Sequence, residues 1–303
     1  MFDNLRGTRY LKDSMARFEK ILFPIDFSER SRAAAPFVLS MAQRYNAEVV
    51  ALHALQPPPP LYAGMNTVYP EVYDFESISA DLSLELRKFT DLELPKVNVR
   101  CVVELGDPAV VTTEYAEENN IGLIAMPTHG YGAFRRALLG SVTAKVLHDA
   151  KIPVWTAAHA PEPSHRAHPQ PRHILCAVNL RPESRQTLEF AIGLANDADA
   201  TVDLVHVALE GEVEALPSES RLQEMLIEAA RDKLVKIREE IKAPEAQMIV
   251  DGGSVADMVR SEAVRKRADL VVIGRGSIQT GMGRLWSNAY AIVREAPCPV
   301  ISV

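Results

Sequence analysis

The sequence predicts two doubly wound, five-stranded parallel α/β domains in tandem. Three observations lead there. Short apolar runs alternate with segments of helical spacing, a proline-rich stretch interrupts the chain near its middle, and the pattern before that stretch recurs after it. With 303 residues, 47% of them hydrophobic, the chain is long enough for two domains with apolar cores.

In chain order, residues 1–18 are polar and charged and are expected to form an arm. Lys20 to Asp26 is the first strand, and Ser31 to Tyr45, with apolar positions at helical spacing, the first helix. Glu48 to Leu55 reads as a buried strand stopped by the prolines 57–60, which point to an extended connection. Phe75 to Leu94 has the pattern of a long amphipathic helix, and Val97 to Glu104 that of a third strand. Gly106-Asp-Pro-Ala109 then makes a sharp turn into a helix, with Pro108 near the helix start, where a missing N–H costs least. A fourth strand, Gly122 to Met126, enters the loop Pro127-Thr-His-Gly-Tyr-Gly-Ala-Phe-Arg-Arg-Ala-Leu-Leu-Gly-Ser141. A helix from about Ser141 to Asp149 and a strand, Pro153 to Ala157, close the unit.

The expected organisation is an arm (1–18), a first domain (19–159), a linker (160–171) and a second domain (172–303). His173 to Asn179 and Thr201 to His206 repeat the first two strands at an offset of 153, while Gly253, Leu270 to Ile273 and Ser287-Asn288 repeat later features at an offset of 147. This is a tandem duplication.

The formal net charge of -7 argues against nucleic-acid binding, which needs a basic surface to displace phosphate counterions. No apolar run is long enough to span a bilayer, and the N-terminus lacks the apolar core of a signal peptide, so a cytoplasmic protein without membrane association is expected. Cys101, Cys176 and Cys298 are far apart in or beside apolar runs, which fits buried free thiols, and no histidine spacing marks a metal site.

The glycine-bearing loop between the fourth strand and its helix is a phosphate-site candidate. Glycines let backbone approach an anion, and the first N–H groups of a helix have no intrahelical acceptor. Ser141 adds a hydroxyl and a candidate N-cap. The loop lacks the P-loop lysine, and Arg135 stands where the dinucleotide fingerprint needs glycine, so an NTPase motor and a dehydrogenase are disfavoured. Arg135, Arg136 and His129 can approach phosphates or remain at the surface. For His53 and His206, within apolar runs, a hydrogen-bonded core or edge position is the expectation.

Leu22-Phe-Pro-Ile-Asp-Phe-Ser28, Leu52-His-Ala54, Gly106-Asp-Pro108 and Pro127-x2-Gly130-x9-Gly140-Ser141 together resemble the universal stress proteins, here as a two-domain tandem member. The nucleotide-binding branch of that family carries G-x2-G-x9-G-[S/T]. The resemblance implies an adenine nucleotide alpha hydrolase-like fold, with ATP or another adenine nucleotide, with or without Mg, in the first domain. It places Asp26 at the adenosine end, Ala54 in the base pocket, and Met126, Gly130, Gly140, Ser141 and Val142 around ribose and phosphates. Pro24 and Pro127 complete the expected binding set. Pro127 stands where the family has glycine and offers no N–H, which either narrows the ribose side or weakens binding.

In the second domain Asn179 replaces the aspartate, and Ser277 and Ser287 stand at glycine positions of the loop, so a duplicate kept for packing is expected there. The resemblance also implies that the halves pair through their last strands, an intramolecular pseudo-dimer, with or without further association of chains. No catalytic residue is assigned. The leading function is a nucleotide-dependent regulatory module acting on a protein partner the sequence does not identify. The alternatives are a weak ATPase or self-phosphorylating enzyme using Ser141, and a structural stress protein that binds no nucleotide.

Overall fold

A computed structural model describes residues 18–56, 74–128, 139–157, 171–210, 217–241, 246–275 and 284–303. The first copy runs β1 (Lys20–Pro24), α1 (Glu29–Tyr45), β2 (Glu48–Leu55), α2 (Phe75–Glu93), β3 (Val99–Leu105), α3 (Pro108–Glu118), β4 (Leu123–Pro127), α4 (Ser141–Asp149) and β5 (Val154–Ala157). The second runs β6 (His173–Ala177), α5 (Ser184–Ala198), β7 (Thr201–Glu210), α6 (Pro217–Glu240), β8 (Gln247–Gly253), α7 (Val255–Lys266), β9 (Leu270–Ile273), α8 (Arg284–Glu295) and β10 (Val300–Ser302). The alternation read from the apolar runs is the fold: mixed α/β, with a mostly parallel sheet.

The chain divides into two compact units. In the one holding β1 to β4, β1 lies between β2 and β4, and β2 pairs with β3, all parallel. The chain thus goes from β1 outward to β3 and returns to the other side of β1 with β4. Strands covered on both faces must be apolar throughout, and Ile21, Leu22, Phe23, Val49, Val50, Leu123 and Ile124 are fully buried. Ser28 caps α1 by accepting the Ser31 N–H at 3.3 Å, and the helix starts at Glu29, two residues before the start expected from spacing. Asn46, in the left-handed conformation with φ 49°, ends it.

The other unit holds β5 together with all that follows Pro153. Its β6 lies between β7 and β9, β7 pairs with β8, and β9 with β10, all parallel. The last strands of the two copies meet here: β5 runs antiparallel to β10, with Val154, Trp155 and Thr156 opposite Ser302, Ile301 and Val300. Both strands are buried along this seam, and its hydroxyls are satisfied on backbone, Thr156 Oγ1 donating to Val300 O at 3.2 Å and Ser302 Oγ to Val154 O at 3.4 Å.

Cys176 and Cys298 are buried free thiols that desolvation pushes up to about 12, while Cys101 is partly exposed. Asp203, buried on β7, stands 2.8 Å from Lys266 Nζ and 3.3 Å from His173 Nε2. Among the described residues no helix is long and apolar enough to cross a membrane.

Gly106 and Gly253 stand at matching turns, with φ of 151° and 125°. A Cβ on Gly106 meets Val111 Cγ2 at 2.8 Å, whereas one on Gly253 meets nothing within 4 Å. Gly253→Ala is therefore expected to cost about 1 kcal/mol of backbone strain, and Gly106→Ala about 2 kcal/mol or more because a clash is added. Urea unfolding of the two variants checks the order, and equal losses contradict it.

Candidate functional site

The site grows from the chain leaving β1. Ile25 N–H donates to Leu52 O at 2.8 Å, which extends the parallel pairing by one residue and delivers Asp26 to the carboxyl edge of the sheet. The Asp26 side chain then closes the turn. Its Oδ1 accepts the Ser28 N–H at 3.0 Å and the Ser31 hydroxyl at 2.6 Å, an Asx-type turn that leads directly into α1. Phe27 takes φ 61° inside this turn, and its ring packs on His53 at 4.7 Å. His53 Nδ1 lies 2.8 Å from Ile25 O, the hydrogen-bonded edge role expected of it. Both turn bonds fall on Oδ1, so Oδ2 is not needed to hold the turn.

The second wall follows β4. Pro127 is the last residue of that strand and is buried, and its carbonyl accepts the Thr143 hydroxyl at 3.0 Å. Thr128 O accepts the Gly140 N–H at 2.9 Å, so the chain enters and leaves the loop at one place. Gly140, not Ser141, is the N-cap of α4. Its carbonyl accepts the Ala144 N–H at 2.8 Å, which makes Ser141 the first helical residue, and the cap glycine has no side chain to offer the helix. The opening N–H groups of α4 thus receive no bond from a side chain of the cap residue, and the first N–H groups of a helix are a place that suits an anion.

A third fixture comes from β3. Gly106 N–H donates to Leu55 O at 3.0 Å, and Asp107 caps α3 through the Ala109 and Val110 N–H groups, both 3.1 Å from Oδ1. Lys145 of α4 reaches the same oxygen at 3.2 Å, tying α4 to the β3 turn. The Val110 N–H above all, and then Lys145, holds the Asp107 carboxyl below the usual carboxylate range.

Asp26, Gly140, Ser141 and Val142 are thus brought to the ends of the adjacent strands β1 and β4, with Ala54 at the end of β2 beside them. Pro24, Met126 and Pro127 lie within strands. Met126 and Pro127 are buried, so in the structure as it stands they shape the floor rather than present side-chain surface. Gly130, His129, Arg135 and Arg136 lie outside the described residues. Sequence reasoning did not single out Ser31, Thr128 or Thr143, which hold the turn and the loop base. The spacing Asp26-x4-Ser31, repeated as Asn179-x4-Ser184, was the available signal for the first of them.

The second copy builds the same turn. Asn179 Oδ1 accepts the Arg181 N–H at 3.1 Å and the Ser184 hydroxyl at 2.6 Å, Leu180 takes φ 54°, and His206 Nδ1 lies 2.8 Å from Val178 O. Desolvation holds the His206 imidazole below its usual range.

Two such turns, each opening on the junction of a first and a fourth strand, invite comparison with known proteins. The sequence profile of the universal stress protein family matches residues 17–157 and again residues 171–303. The chain belongs to the universal stress protein family. Among relatives, universal stress protein A homolog 1 of Coxiella burnetii is 31% identical over 138 residues, spanning 44% of this chain and 95% of the relative. A universal stress protein of Methanocaldococcus jannaschii is 32% identical over 155 residues, 48% of this chain and 88% of its own length. These single-domain lengths match one copy each. A universal stress protein structure from Archaeoglobus fulgidus superposes with a TM-score of 0.64 at 20% identity, covering 95% of this chain and 97% of that one, which establishes the fold across both copies.

Because its folded-state pKa is depressed, Asp107 contributes stability that is present above the ordinary carboxylate range and is lost as pH falls through the folded value. The stability difference between the parent and Asp107→Asn is expected to be largest at neutral pH and to shrink on acidification. Denaturant unfolding at a series of pH values checks this. A difference independent of pH would contradict it.

Proposed function

We propose that the first copy binds ATP or another adenine nucleotide, and that the protein acts as a nucleotide-dependent regulatory module within the 19–159 domain. The observation that carries this reading is the strand order around β1. In open α/β sheets ligands bind outside the carboxyl ends of the strands where the order reverses, and here that switch point lies between β1 and β4. Asp26 stands at one side of it and the glycine-capped N-terminus of α4 at the other.

The residues fit the ligand. A nucleotide has hydroxyl and amino donors at one end and phosphates at the other. Asp26 Oδ2 is an acceptor for the first, and the N–H groups of Ser141 and Val142, with the small Gly140 allowing close approach, suit the second. Ala54 leaves room beside Asp26 for a base. Pro127 fits a supporting role, since its buried carbonyl already holds Thr143. A bound nucleotide supplies charge at the loop base, and the chain's own residues orient it. The described residues contain no cluster of three or more His, Cys, Asp or Glu that could hold a metal, so Mg, where present, is expected to arrive with the phosphates. Regulation follows from mass action: a ligand that ties β1, β4 and α4 together favours the arrangement in which they are joined.

Calorimetric titration of ATP into nucleotide-free full-length protein is expected to give one equivalent per chain, with Asp26→Ala weakening binding about tenfold or more. Absence of binding, or binding indifferent to Asp26→Ala, would sink the reading. Sustained phosphate release that is lost in Gly140→Ala would favour slow hydrolysis over simple binding.

A further inference from the structure

The second copy contains a cavity of about 320 Å³, at the small end of the roughly 300–1,000 Å³ typical of small-molecule sites. It opens at the carboxyl ends of β6, β7 and β9, and Asn179, His206, Gly274 and Arg275 line it, with Thr187 and Val259 among its walls. The sequence led to the expectation of a duplicate kept for packing, but packing alone leaves no reason for an open cavity with an arginine among its lining residues.

The polarity of this cavity is opposite to that of the first site. The Asn179 amide is oriented by the turn: the Arg181 N–H requires an acceptor, so the oxygen faces it. Nδ2 remains, and among the described residues no bond to it is recorded. Where Asp26 has a carboxylate oxygen left for a ligand, Asn179 has an N–H2 group. The position after the fourth strand changes in the same direction. Thr128 of the first copy corresponds to Arg275, a residue that is 9% exposed and lines the cavity. Burial alone lowers Arg275 to about 10, so it stays charged at neutral pH. A guanidinium carries its N–H donors in a planar fork that matches the two oxygens of a carboxylate or phosphate. Arg181 and Glu183, both exposed, add charges of opposite sign at the rim, and His206 is held toward its neutral form. The cavity's charge balance is therefore positive where the first site's is negative.

We propose that the cavity of the second copy binds a small organic oxyanion, a phosphate monoester or a carboxylate, held by the Asn179 amide N–H2 and the Arg275 guanidinium. This does not rest on nucleotide binding by the first copy, with which it shares no residue.

Calorimetry on the full-length chain tests it, with ribose 5-phosphate and citrate as probes and ribose as the neutral control, in buffer free of phosphate. One of the two anions is expected to bind with one equivalent per chain while ribose does not, and the anion that binds separates phosphate from carboxylate chemistry. Asn179→Asp, which keeps the turn as Asp26 does but replaces the donor with a carboxylate, and Arg275→Gln are each expected to weaken binding about tenfold or more. Should Arg275→Gln fail to fold, Asn179→Asp carries the test. The proposal is overturned if neither anion binds at millimolar concentration, if binding survives both substitutions, if it disappears with Asp26→Ala, or if ATP displaces the anion from the second copy.

Discussion

A single side-chain oxygen directly after the first strand of each copy governs how the strand becomes a helix. Asp26 Oδ1 and Asn179 Oδ1 accept the backbone N–H two residues on and the serine hydroxyl five residues on, at nearly the same distances. The turn forces a positive φ on Phe27 and Leu180, neither of which is glycine, and such strain persists only where surrounding bonds over-determine the backbone. Because the turn needs only this one oxygen, aspartate and asparagine serve it equally. The second atom of the group is then free to differ. A duplicated fold can thus hold its architecture while its two sites diverge in chemistry.

The sheet carries the rest. Parallel strands demand cover on both faces, and the buried Ile, Leu, Val and Phe of β1, β2 and β4 answer that demand in the first copy. The second copy departs from it at Asp203, which occupies the position of the fully buried Val50. Its charge is met by Lys266 and His173 rather than by water, and removing one member of such a group would leave a buried charge uncompensated. The seam of β5 and β10 shows the same economy. Its hydroxyls, Thr156 and Ser302, each donate to a carbonyl across the pair, so polar residues can stand in a buried position.

Much of this was legible in the chain. Strand and helix order, the turn at Gly106 and the duplication follow from periodicity and from offsets of 153 and 147, because short-range sterics and burial act on the local pattern. Glycine spacing together with Asp26 pointed to the first candidate site. The cap of α4 was misplaced by one residue: Ser141 has the better capping side chain, but the Gly140 N–H is drawn to Thr128 O and its carbonyl to Ala144, and those backbone bonds decide which residue is half in the helix.

The amino-acid sequence by itself determined the class of fold, its repetition and the family, since each is written in patterns of a few residues that fold locally. Only the tertiary structure decided which donors and acceptors the fold brings together. That depends on contacts between residues far apart in the chain: Thr143 with Pro127, Lys145 with Asp107, and Arg275 with the cavity beside Asn179. A side chain's chemistry is known from its letter, but whether its donors and acceptors are consumed by the protein or offered to a partner is settled only when the strands bring the surrounding groups together.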